Sequence, residues 1–593
     1  MKQFEYPFDA DYLLSKKKRL KRELLAASDQ FLEIKIAILG GSTTSDIRQI
    51  LELFLLHHGI KPAFFESEYN RFYEDAVFGN PELDELKPDL VFIHTTYRNV
   101  RNFPALSDSS EAVQEKLETE FGRFRSVWEA LEQKYHCTVI QNNFDFPFYR
   151  LLGSKDASDI HGRVNFLTRL NLKFAEYAES HSAFLVHDLN YLSAQYGLDR
   201  WHDESAWYLY KYALAVQAIP CLANSVANII KALYGKNKKA FALDLDNTLW
   251  GGIVGDDGVE KLSLGQETAE SEAFTAFQAY LKELQSLGIL LNIDSKNEMC
   301  NALAGLEHPE GVLKQDDFII IKANWAPKSQ NLAEIAAALN IGIDSIVFVD
   351  DNPAEREIIR QTFPSVSAPE LGTEPEKYIR ILDRNGFFEC VGISTEDLNK
   401  QQLYQENARR ADLLNSFTNY DEYLRSLQMT ARIEGFVPMY MQRIAQLTNK
   451  SNQFNLTTRR YTQAEIEAAA ADPDCITLYG KLTDKFGDNG VVSVVIGHKR
   501  GDELDIVLWI MSCRVLKRDM EFAMMDALAA KCRAASVKTV YGYYYPTAKN
   551  GMVRDFYQLH GFTKISEDEN GNTAWRLDID SYQKQNRFIN VED

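Results

Sequence analysis

The chain has 593 residues, of which 45% are hydrophobic and 12% aromatic, so it can bury several cores and, as a soft prior, divides into three or four domains. Its net charge of −20 argues against a nucleic-acid partner, because phosphate backbones are bound through basic surface. The seven cysteines form no CxxC pair, no apolar signal core is visible near the amino terminus, and no apolar run approaches the roughly 18 to 20 residues of a membrane span. We therefore expect a cytoplasmic protein with reduced thiols and no membrane span.

Apolar strands alternate with helical segments through residues 1–235. The sequence predicts these strands at residues 34–39, 90–93, 138–141 and 184–188. Such a βα alternation predicts a parallel sheet with helices on its faces. The first strand ends in two glycines followed by Ser42, a position at which a nucleophilic hydroxyl can be exposed.

Asp199 and His202 form a DxxH near the end of this region. With Ser42 upstream, the pattern resembles the SGNH (GDSL-like) hydrolase family, which implies an SGNH or flavodoxin-like parallel sheet. The resemblance makes Ser42 the nucleophile, His202 the base and Asp199 the orienting acid of a triad. It also implies oxyanion-hole positions at Gly79 and Asn99. The segment reads GGST where the family shows GDS, and an equal alternative is a hydrolase-like fold kept for structure or for docking a carrier protein.

Residues 236–395 open with a short apolar run that ends in two carboxylates, Asp244 and Asp246. Such a run is typical of a buried parallel strand, and its carboxyl end is where open α/β sheets bind ligands. One carboxylate can attack phosphorus while the other handles the proton of the leaving group or of water. Two acids beside a phosphate would repel it, so we expect a hard cation with oxygen ligands, Mg²⁺. An isolated DxDxT would more often be an acidic turn.

Three further elements follow in chain order. A second apolar strand ends at Ser295, whose hydroxyl can hydrogen-bond a phosphoryl oxygen. Lys328 opens a helical segment and can neutralise charge on a phosphate and on a nucleophile. A third strand ends in Asp350 and Asp351, a second source of metal ligands. The four elements together predict a site for phosphoryl transfer.

This order of motifs resembles the haloacid dehalogenase superfamily, and the segments DLDNTLWGGIVGDDG, NWAPKS and FVDDNPAERE resemble its FkbH-like branch. The resemblance implies a Rossmann-like parallel sheet. The gaps that follow the first two motifs are too short for a domain of ordinary size, so we expect a minimal cap that can admit a protein-bound substrate. The implied roles are a nucleophile that forms an aspartyl-phosphate and binds metal, Asp244; a general acid/base whose main-chain carbonyl binds metal, Asp246; phosphoryl-holding groups, Ser295 and Lys328; and further Mg²⁺-binding carboxylates, Asp350 and Asp351.

Residues 396–593 form a strand-rich pattern that resembles the GNAT acetyltransferase fold, an α+β domain. The resemblance places CoA, or the phosphopantetheine of an acyl carrier protein, at the turn that begins with Cys513. Cys513 is a candidate acyl-enzyme thiol, although a buried structural cysteine is commoner. Arg514, Lys517 and Arg518 are candidate phosphate contacts, in a turn where glycines are usual. The polar run at residues 449–460 is expected to face the acceptor.

The function implied by the FkbH-like resemblance is transfer of a glyceryl-type unit from 1,3-bisphosphoglycerate to the phosphopantetheine thiol of an acyl carrier protein, with removal of its phosphate. The product would serve polyketide or surface-glycan biosynthesis. One alternative is a plain phosphatase of a phosphorylated small molecule. A second is a carrier-protein docking scaffold whose outer domains, 1–235 and 396–593, are degenerate.

Overall fold

The computed structural model describes residues 2–27, 31–393, 398–414, 416–451, 453–547 and 549–592. The chain divides into two compact units. They are formed by Met1–Leu233 with Thr462–Glu465, and by Tyr234–Tyr461 with Ile466–Asp593. The first unit holds one β-sheet and the second unit holds two.

The first unit is built on a parallel sheet of five strands. These are β1 (Leu32–Gly40), β2 (Ile60–Glu66), β3 (Leu90–His94), β4 (Thr138–Asn142) and β5 (Phe184–His187). Their order is β2–β1–β3–β4–β5, which is that of flavodoxin-like sheets, so the predicted fold class is confirmed here. The sequence pattern did not indicate β2. That strand contains Pro62 and is tolerated because it lies at the edge of the sheet.

Eleven α-helices are described in the first unit's main segment. They are α1 (Ala10–Ser15), α2 (Lys17–Ala26), α3 (Ser45–His57), α4 (Phe72–Val77), α5 (Pro81–Leu86), α6 (Ser110–Tyr135), α7 (Arg163–Ser180), α8 (Leu189–Tyr196), α9 (Leu198–Trp201), α10 (Glu204–Tyr210) and α11 (Ile219–Leu233). Phe124 of α6 and Phe174 of α7 share a core cluster with alternate residues of β1, β3 and β4.

One stretch is an exception to the expectation that no apolar run is long enough to span a membrane. Residues 216–233, which include α11, are long and apolar enough to cross a membrane, but 72% of that window is buried inside the fold. Core helices of globular proteins pass the same test.

The first sheet of the second unit has four parallel strands: β6 (Ala240–Leu243), β7 (Leu290–Ser295), β8 (Phe318–Ala323) and β9 (Ile346–Val349). Their order is β8–β7–β6–β9, so the strand order reverses beside β6, and such switch points are where doubly wound sheets bind ligands. The helices are α12 (Val254–Asp257), α13 (Ala269–Ser286), α14 (Met299–Leu306), α15 (Lys328–Ala338), α16 (Pro353–Thr362) and α17 (Tyr378–Arg384).

Successive residues of β6 face opposite sides of this sheet. Phe241 shares a cluster with Phe277 of α13, whereas Ala242 shares a cluster with Ile335 of α15. Both faces are therefore covered, which explains why β6 is a continuous apolar run. Only α12 and short turns lie between β6 and α13, and only α14, a 3-10 turn (Gln315–Asp317) and β8 lie between β7 and α15. The minimal cap expected from the motif spacing is confirmed.

The remaining sheet is mixed and has nine strands. They are β10 (Thr430–Glu434), β11 (Phe454–Asn455), β12 (Cys475–Asp484), β13 (Gly487–Arg500), β14 (Glu503–Met511), β15 (Thr539–Tyr544), β16 (Thr563–Glu567), β17 (Thr573–Asp578) and β18 (Asn590–Glu592). The accompanying helices are α18 (Lys400–Leu414), α19 (Tyr420–Ser426), α20 (Met441–Lys450), α21 (Gln463–Ala471), α22 (Met520–Ala534) and α23 (Phe556–Leu559). The predicted α+β domain is thus present.

The strands β14 and β15 pair in parallel over only three residues each, at their amino ends. Beyond that point the segment containing β11 bonds to both: β11 pairs with the end of β14, and the amide of Tyr545 donates to the carbonyl of Leu456. Part of the polar run expected to face an acceptor is therefore built into the sheet, with Asn455 and Thr457 buried. Asn452 of that run lies outside the described residues.

Candidate active site

A cluster of carboxylates around one lysine lies at the carboxyl ends of the neighbouring strands β6 and β9. Asp244 follows β6 and Asp350 follows β9. Lys328 at the start of α15 places its Nζ 2.9 Å from Asp244 Oδ2 and 2.6 Å from Asp350 Oδ2. The structure thus brings together three of the residues that the motifs predicted, and each comes from a different element.

Burial and neighbouring charges shift the pKa values of Asp350 and Lys328. Burial, followed by the charge of Asp244, raises the pKa of Asp350 to about 6. Burial alone would lower the pKa of Lys328, but the Asp244 and Asp350 carboxylates outweigh it and raise that pKa above its ordinary value. The lysine is therefore held as a buried cation whose charge balances part of the cluster.

Asp246 is held by three hydrogen bonds. Its Oδ1 accepts from the indole Nε1 of Trp250 at 2.9 Å and from the amide of Val254 at 3.1 Å, and its Oδ2 accepts from Asn297 Nδ2 at 3.0 Å. Burial is the main cause that raises the pKa of Asp246. A fixed carboxyl group with a raised pKa is suited to carrying a proton to or from a neighbouring group.

Ser295 ends β7 and is buried, as its predicted position requires. The preceding residue, Asp294, is a further buried acid, to which the motifs assigned no role. Its Oδ1 accepts from Asn331 Nδ2 at 3.1 Å, its Oδ2 has no hydrogen-bond partner, and burial raises its pKa to about 8. Asn331 lies three residues after Lys328 and therefore on the same face of α15. This spacing could have indicated from the sequence that Asn331 lies near the site.

Asp351 is half-buried next to the cluster. Its amide donates to Thr248 Oγ1 at 3.2 Å, so the threonine of DxDxT ties the loop after β6 to the loop after β9. Burial and the charge of Asp244 raise the pKa of Asp351. The sequence alone did not indicate this role of Thr248, because the hydrogen bond depends on the loops after β6 and β9 lying side by side.

Within the described residues, two groups of side chains could hold a metal ion. In the first, the ligand atoms of Asp244, Asp350 and Asp351 all lie within 4.8 Å of one another. The second group mixes donor types: Asp472, Cys475 and His498. Mg²⁺ prefers oxygen ligands, and thiolates favour softer metals, so the donor set of the first group fits Mg²⁺ and that of the second does not.

The residues of the predicted triad lie in the first unit but are not joined by hydrogen bonds. Ser42 is buried and its Oγ has no hydrogen-bond partner. His202 Nε2 contacts the carbonyl oxygen of Phe146 at 2.9 Å, and its Nδ1 has no partner. Asp199 is exposed on α9. The geometry therefore does not assemble Ser42, His202 and Asp199, because a main-chain carbonyl occupies the ring nitrogen that a triad would use.

Of the two residues matched to the oxyanion hole, Asn99 does lie beside the strand end that precedes Ser42. Its Nδ2 donates to the carbonyl of Gly41 at 2.9 Å, and its Oδ1 accepts from the amide of Thr96. The side chain is thus used in fixing two loops. Gly79 follows α4 with a φ of +89°. This positive φ favours glycine and accounts for the residue at this position.

The predicted phosphate contacts in the mixed-sheet domain have different surroundings. Lys517 is exposed and has a φ of +64°, a left-handed conformation of the kind glycine favours. Arg518 is buried and donates to Asp484 Oδ2 at 3.2 Å and to Asn407 Oδ1 at 2.7 Å. Since its guanidinium is engaged in this buried network, the assignment of Arg518 to phosphate binding is not supported by its contacts.

Cys513 and Arg514 lie together at the end of β14. Cys513 is half-buried beside Tyr404, and its carbonyl accepts from Asn340 Nδ2 at 2.6 Å. Arg514 Nε donates to Ser512 Oγ at 3.3 Å. Both residues line the same cavity, so the structure does bring the predicted thiol next to one predicted cation.

Comparison with known proteins identifies one matching family model and one similar crystal structure that covers most of the chain. A model of the FkbH N-terminal domain matches residues 35–231. The crystal structure of the N-terminal part of the protein BF1531 from Bacteroides fragilis, containing a phosphatase domain and complexed with Mg, is 31% identical; the similarity covers 64% of this chain and 99% of that one, with a TM-score of 0.59. No curated protein matches.

Two further solved structures are similar to a smaller part of the chain. The ribosomal-protein-S18-alanine N-acetyltransferase from Escherichia coli is 12% identical and covers 27% of this chain and 100% of its own, with a TM-score of 0.21. Ard1 from Thermoplasma volcanium is 21% identical and covers 25% and 97%, with a TM-score of 0.20.

Proposed function

Since the chain belongs to the FkbH-like family, we propose that it is a Mg²⁺-dependent phosphatase of the haloacid dehalogenase type that uses the carboxylate cluster around Lys328. The observation that carries the proposal is the meeting of Asp244, Lys328 and Asp350 at the switch point of a parallel sheet. The Mg-complexed phosphatase-domain relative supports the same reaction class.

Lys328 and the metal prepare the site for an anionic substrate. Mg²⁺, when bound, would be held by Asp244, Asp350 and the main-chain carbonyl of Asp246, with Asp351 beside it, and would supply positive charge for the phosphoryl oxygens. Lys328 contacts one oxygen of Asp244, which leaves the other oxygen for attack. The Ser295 hydroxyl would hydrogen-bond the phosphoryl group.

The reaction proposed for these residues has two steps. In the first, an Asp244 oxygen attacks phosphorus, the bond from phosphorus to the leaving oxygen breaks, and the Asp246 carboxyl gives that oxygen its proton. In the second, water attacks the aspartyl-phosphate, Asp246 takes a proton from the water, and the bond to Asp244 breaks to release phosphate. The raised pKa of Asp246 supports its role as the proton donor.

We further propose that the substrate is a glyceryl-type acyl phosphate, 1,3-bisphosphoglycerate, and that the acyl group passes to a carrier-protein thiol. The thiol of phosphopantetheine would attack the acyl carbon, and the acyl phosphate would leave as phosphate. The remaining phosphate ester would then be removed at Asp244. The minimal cap supports this assignment, because a site without a large lid can admit a protein-bound substrate.

The test mixes the protein, Mg²⁺, enzymatically generated 1,3-bisphosphoglycerate and a panel of carrier proteins bearing phosphopantetheine. Intact-protein mass spectrometry then detects a glyceryl mass on the carrier, and a colorimetric assay detects free phosphate. Asp244→Asn should abolish release of the ester phosphate and leave a phosphoglyceryl mass on the carrier, because only the acyl phosphate leaves without Asp244. The matched variant Asp256→Asn, which changes an exposed acid on α12, should release both phosphates. Full phosphate release by Asp244→Asn would contradict the assignment of the nucleophile.

The outcome for the carrier separates the remaining alternatives. Free phosphate without an adduct on any carrier would favour a plain phosphatase of a small molecule. The unassembled triad and the buried network around Arg518 favour a docking role for the outer domains. In that case, Ser42→Ala would leave both phosphate release and carrier loading unchanged.

A further inference from the structure

The mixed group of side chains that could hold a metal ion, Asp472, Cys475 and His498, lies in the mixed-sheet domain. Asp472 directly follows α21, Cys475 is the first residue of β12, and His498 lies near the end of β13. All three residues are partly exposed, so an ion from solvent can reach them. They are separate from the carboxylate cluster around Lys328, and the phosphatase reaction proposed above does not use them.

The pairing of two strands brings the thiol and the imidazole together. Cys475 of β12 lies directly opposite His498 of β13 in an antiparallel pair. Residues in such opposite positions point to the same face of a sheet, with Cβ atoms about 4.5 to 5.5 Å apart. The two side chains are therefore neighbours because of the register of the sheet, although they are distant in the sequence.

The packing of α21 on the same face supplies the carboxylate. Tyr479 and Ile496, which alternate in step with the pair of strand residues described above, share a core cluster with Ile466 of α21. The helix thus covers this face, and the turn that follows it carries Asp472 to the start of β12. There the amide of Cys475 donates to the carbonyl of Asp472, and Cys475 Sγ lies 3.6 Å from Asp472 Oδ2.

The spacing of the ligand atoms fits a tetrahedral zinc site. The carboxylate oxygen, the sulfur and the ring nitrogen all lie within 4.8 Å of one another. Zinc binds sulfur at about 2.3 Å and carboxylate oxygen at about 2.0 to 2.2 Å, which at a tetrahedral angle places those two atoms about 3.5 to 3.7 Å apart. Since Cys475 Sγ and Asp472 Oδ2 are 3.6 Å apart, both can bind one ion without a large movement.

The donor set indicates the class of metal. Thiolate and imidazole suit Zn²⁺, whereas carboxylate and carbonyl oxygens suit Mg²⁺. On the other side of β13, Asp505 of β14 lies opposite His498, so a carboxylate flanks the imidazole on the strand away from Cys475. Metal-bound histidines commonly donate their second ring N–H to such a carboxylate. Asp505 Oδ1 also accepts from the Tyr543 hydroxyl at 2.6 Å, which helps to fix the orientation of the carboxylate.

We propose that Asp472, Cys475 and His498 form a Zn²⁺ site that is independent of the carboxylate cluster. The ion would be bound by one carboxylate oxygen, the thiolate and one imidazole nitrogen, and Cys475 would release its proton to solvent on binding. Three protein ligands leave the fourth position of a tetrahedral ion to water. Because Asp472 follows a helix and the other two ligands belong to adjacent strands, the ion would tie the end of α21 to the sheet.

Cobalt substitution tests this site. The full-length protein is stripped of metal with EDTA, exchanged into buffer with excess Mg²⁺ to fill the carboxylate cluster, and titrated with Co²⁺. We expect one equivalent of Co²⁺ to produce the near-ultraviolet absorption band of a cobalt–thiolate bond. Zn²⁺, which favours tetrahedral sites with sulfur and nitrogen ligands, should abolish the band by displacing Co²⁺. A site made only of oxygen ligands cannot give this band.

Single substitutions assign the band to particular residues. Cys475→Ser should abolish it, and the matched variant Cys300→Ser, which removes an exposed thiol on α14, should keep it. Asp472→Asn and His498→Gln should each raise the Kd for Co²⁺ about a hundredfold or more, since even the loss of an outer-shell partner costs about 10 to 100-fold in metal affinity. Asp244→Asn should leave the band and the Kd unchanged, which separates this proposal from the phosphatase assignment.

A labelling experiment on the wild type keeps the test decisive if a variant does not fold. Zn²⁺ should slow alkylation of Cys475 by iodoacetamide in a saturable manner, as detected by peptide mass spectrometry, and leave that of Cys300 unchanged. The absence of a cobalt–thiolate band, or of zinc protection of Cys475, would overturn the proposal. So would a band that persists in Cys475→Ser, or a Kd that is unchanged in both Asp472→Asn and His498→Gln.

Discussion

Replacing Lys328 by methionine tests how far this lysine offsets the negative charge of Asp244 and Asp350. Lys328 is 3% exposed and its Nζ contacts both Asp244 and Asp350. Removing the cation leaves two buried carboxylates facing each other. Removing one partner of a buried ion pair costs about 3 to 5 kcal/mol, so we expect Lys328→Met to lower the free energy of unfolding of the second unit by that amount in EDTA.

Mg²⁺ should reverse part of this loss. The variant keeps the carboxylates but lacks the competing ammonium group, so it gains more from the added cation than the wild type does. A ligand at a hundred times its Kd stabilises the folded state by about 2.7 kcal/mol. We therefore expect the difference in unfolding free energy between variant and wild type to shrink when Mg²⁺ replaces EDTA.

The measurement is urea unfolding of both proteins, in EDTA and in Mg²⁺. Hydrogen exchange of peptides from β6 and β9 monitors the unfolding. The matched control is Lys322→Met, which removes a solvent-accessible pair with Glu334 and should cost less than about 1 kcal/mol in either buffer. Equal stability of Lys328→Met and wild type in EDTA would refute the reasoning. So would a difference that is the same in both buffers.

Three further outcomes follow from the structure. Asp246→Asn should lower kcat for phosphate release by about 10² to 10⁴-fold, as for loss of a general acid/base, and an unchanged kcat would exclude that role. Burial lowers the pKa of His94 to about 3 and that of His187 to about 4. Both histidines are thus neutral when folded but protonate on unfolding below about 6.5, so the stability of the first unit should fall as pH drops from about 6.5 towards 4. A His94→Gln variant should show a shallower fall in the same urea titration, and an unchanged slope would contradict this assignment. Arg410→Met should cost about 3 to 5 kcal/mol, because Arg410 is 2% exposed and donates to both oxygens of Asp484; a thermal-unfolding midpoint equal to that of wild type would count against it.

The sequence was most informative where a functional residue directly follows an apolar run. Asp244, Ser295 and Asp350 end or follow strands that are buried on both faces, so their position at one edge of the sheet was predictable from the parallel topology. The fold class of that domain followed for the same reason.

The parts that could not be predicted depend on contacts between distant segments. Asn297 reaches Asp246 across 51 positions, and Arg410 reaches Asp484 across 74. Neither pair has a local pattern. The triad prediction rested on the DxxH spacing and on the position of Ser42 after a strand. The contact of His202 with the carbonyl of Phe146 depends on a loop conformation that no spacing rule gives.

The assignments of Asp244, Asp246, Ser295 and Lys328 to catalytic roles, and of Asp350 and Asp351 to metal binding, remain predictions until the variants are measured. The structure adds that burial raises the pKa values of Asp246, Asp350 and Asp351. Such shifts cannot be read from a sequence, because desolvation depends on the packed neighbours.

The minimal cap has a kinetic consequence for any phosphorylated enzyme intermediate. Only short segments lie between β6 and α13 and between β7 and α15, so an aspartyl-phosphate formed at Asp244 would meet water without the opening of a large lid. The lifetime of that intermediate would be fixed by its hydrolysis rate. Any other acceptor would have to compete with water within that lifetime, so the ratio of transfer to hydrolysis would rise in proportion to acceptor concentration.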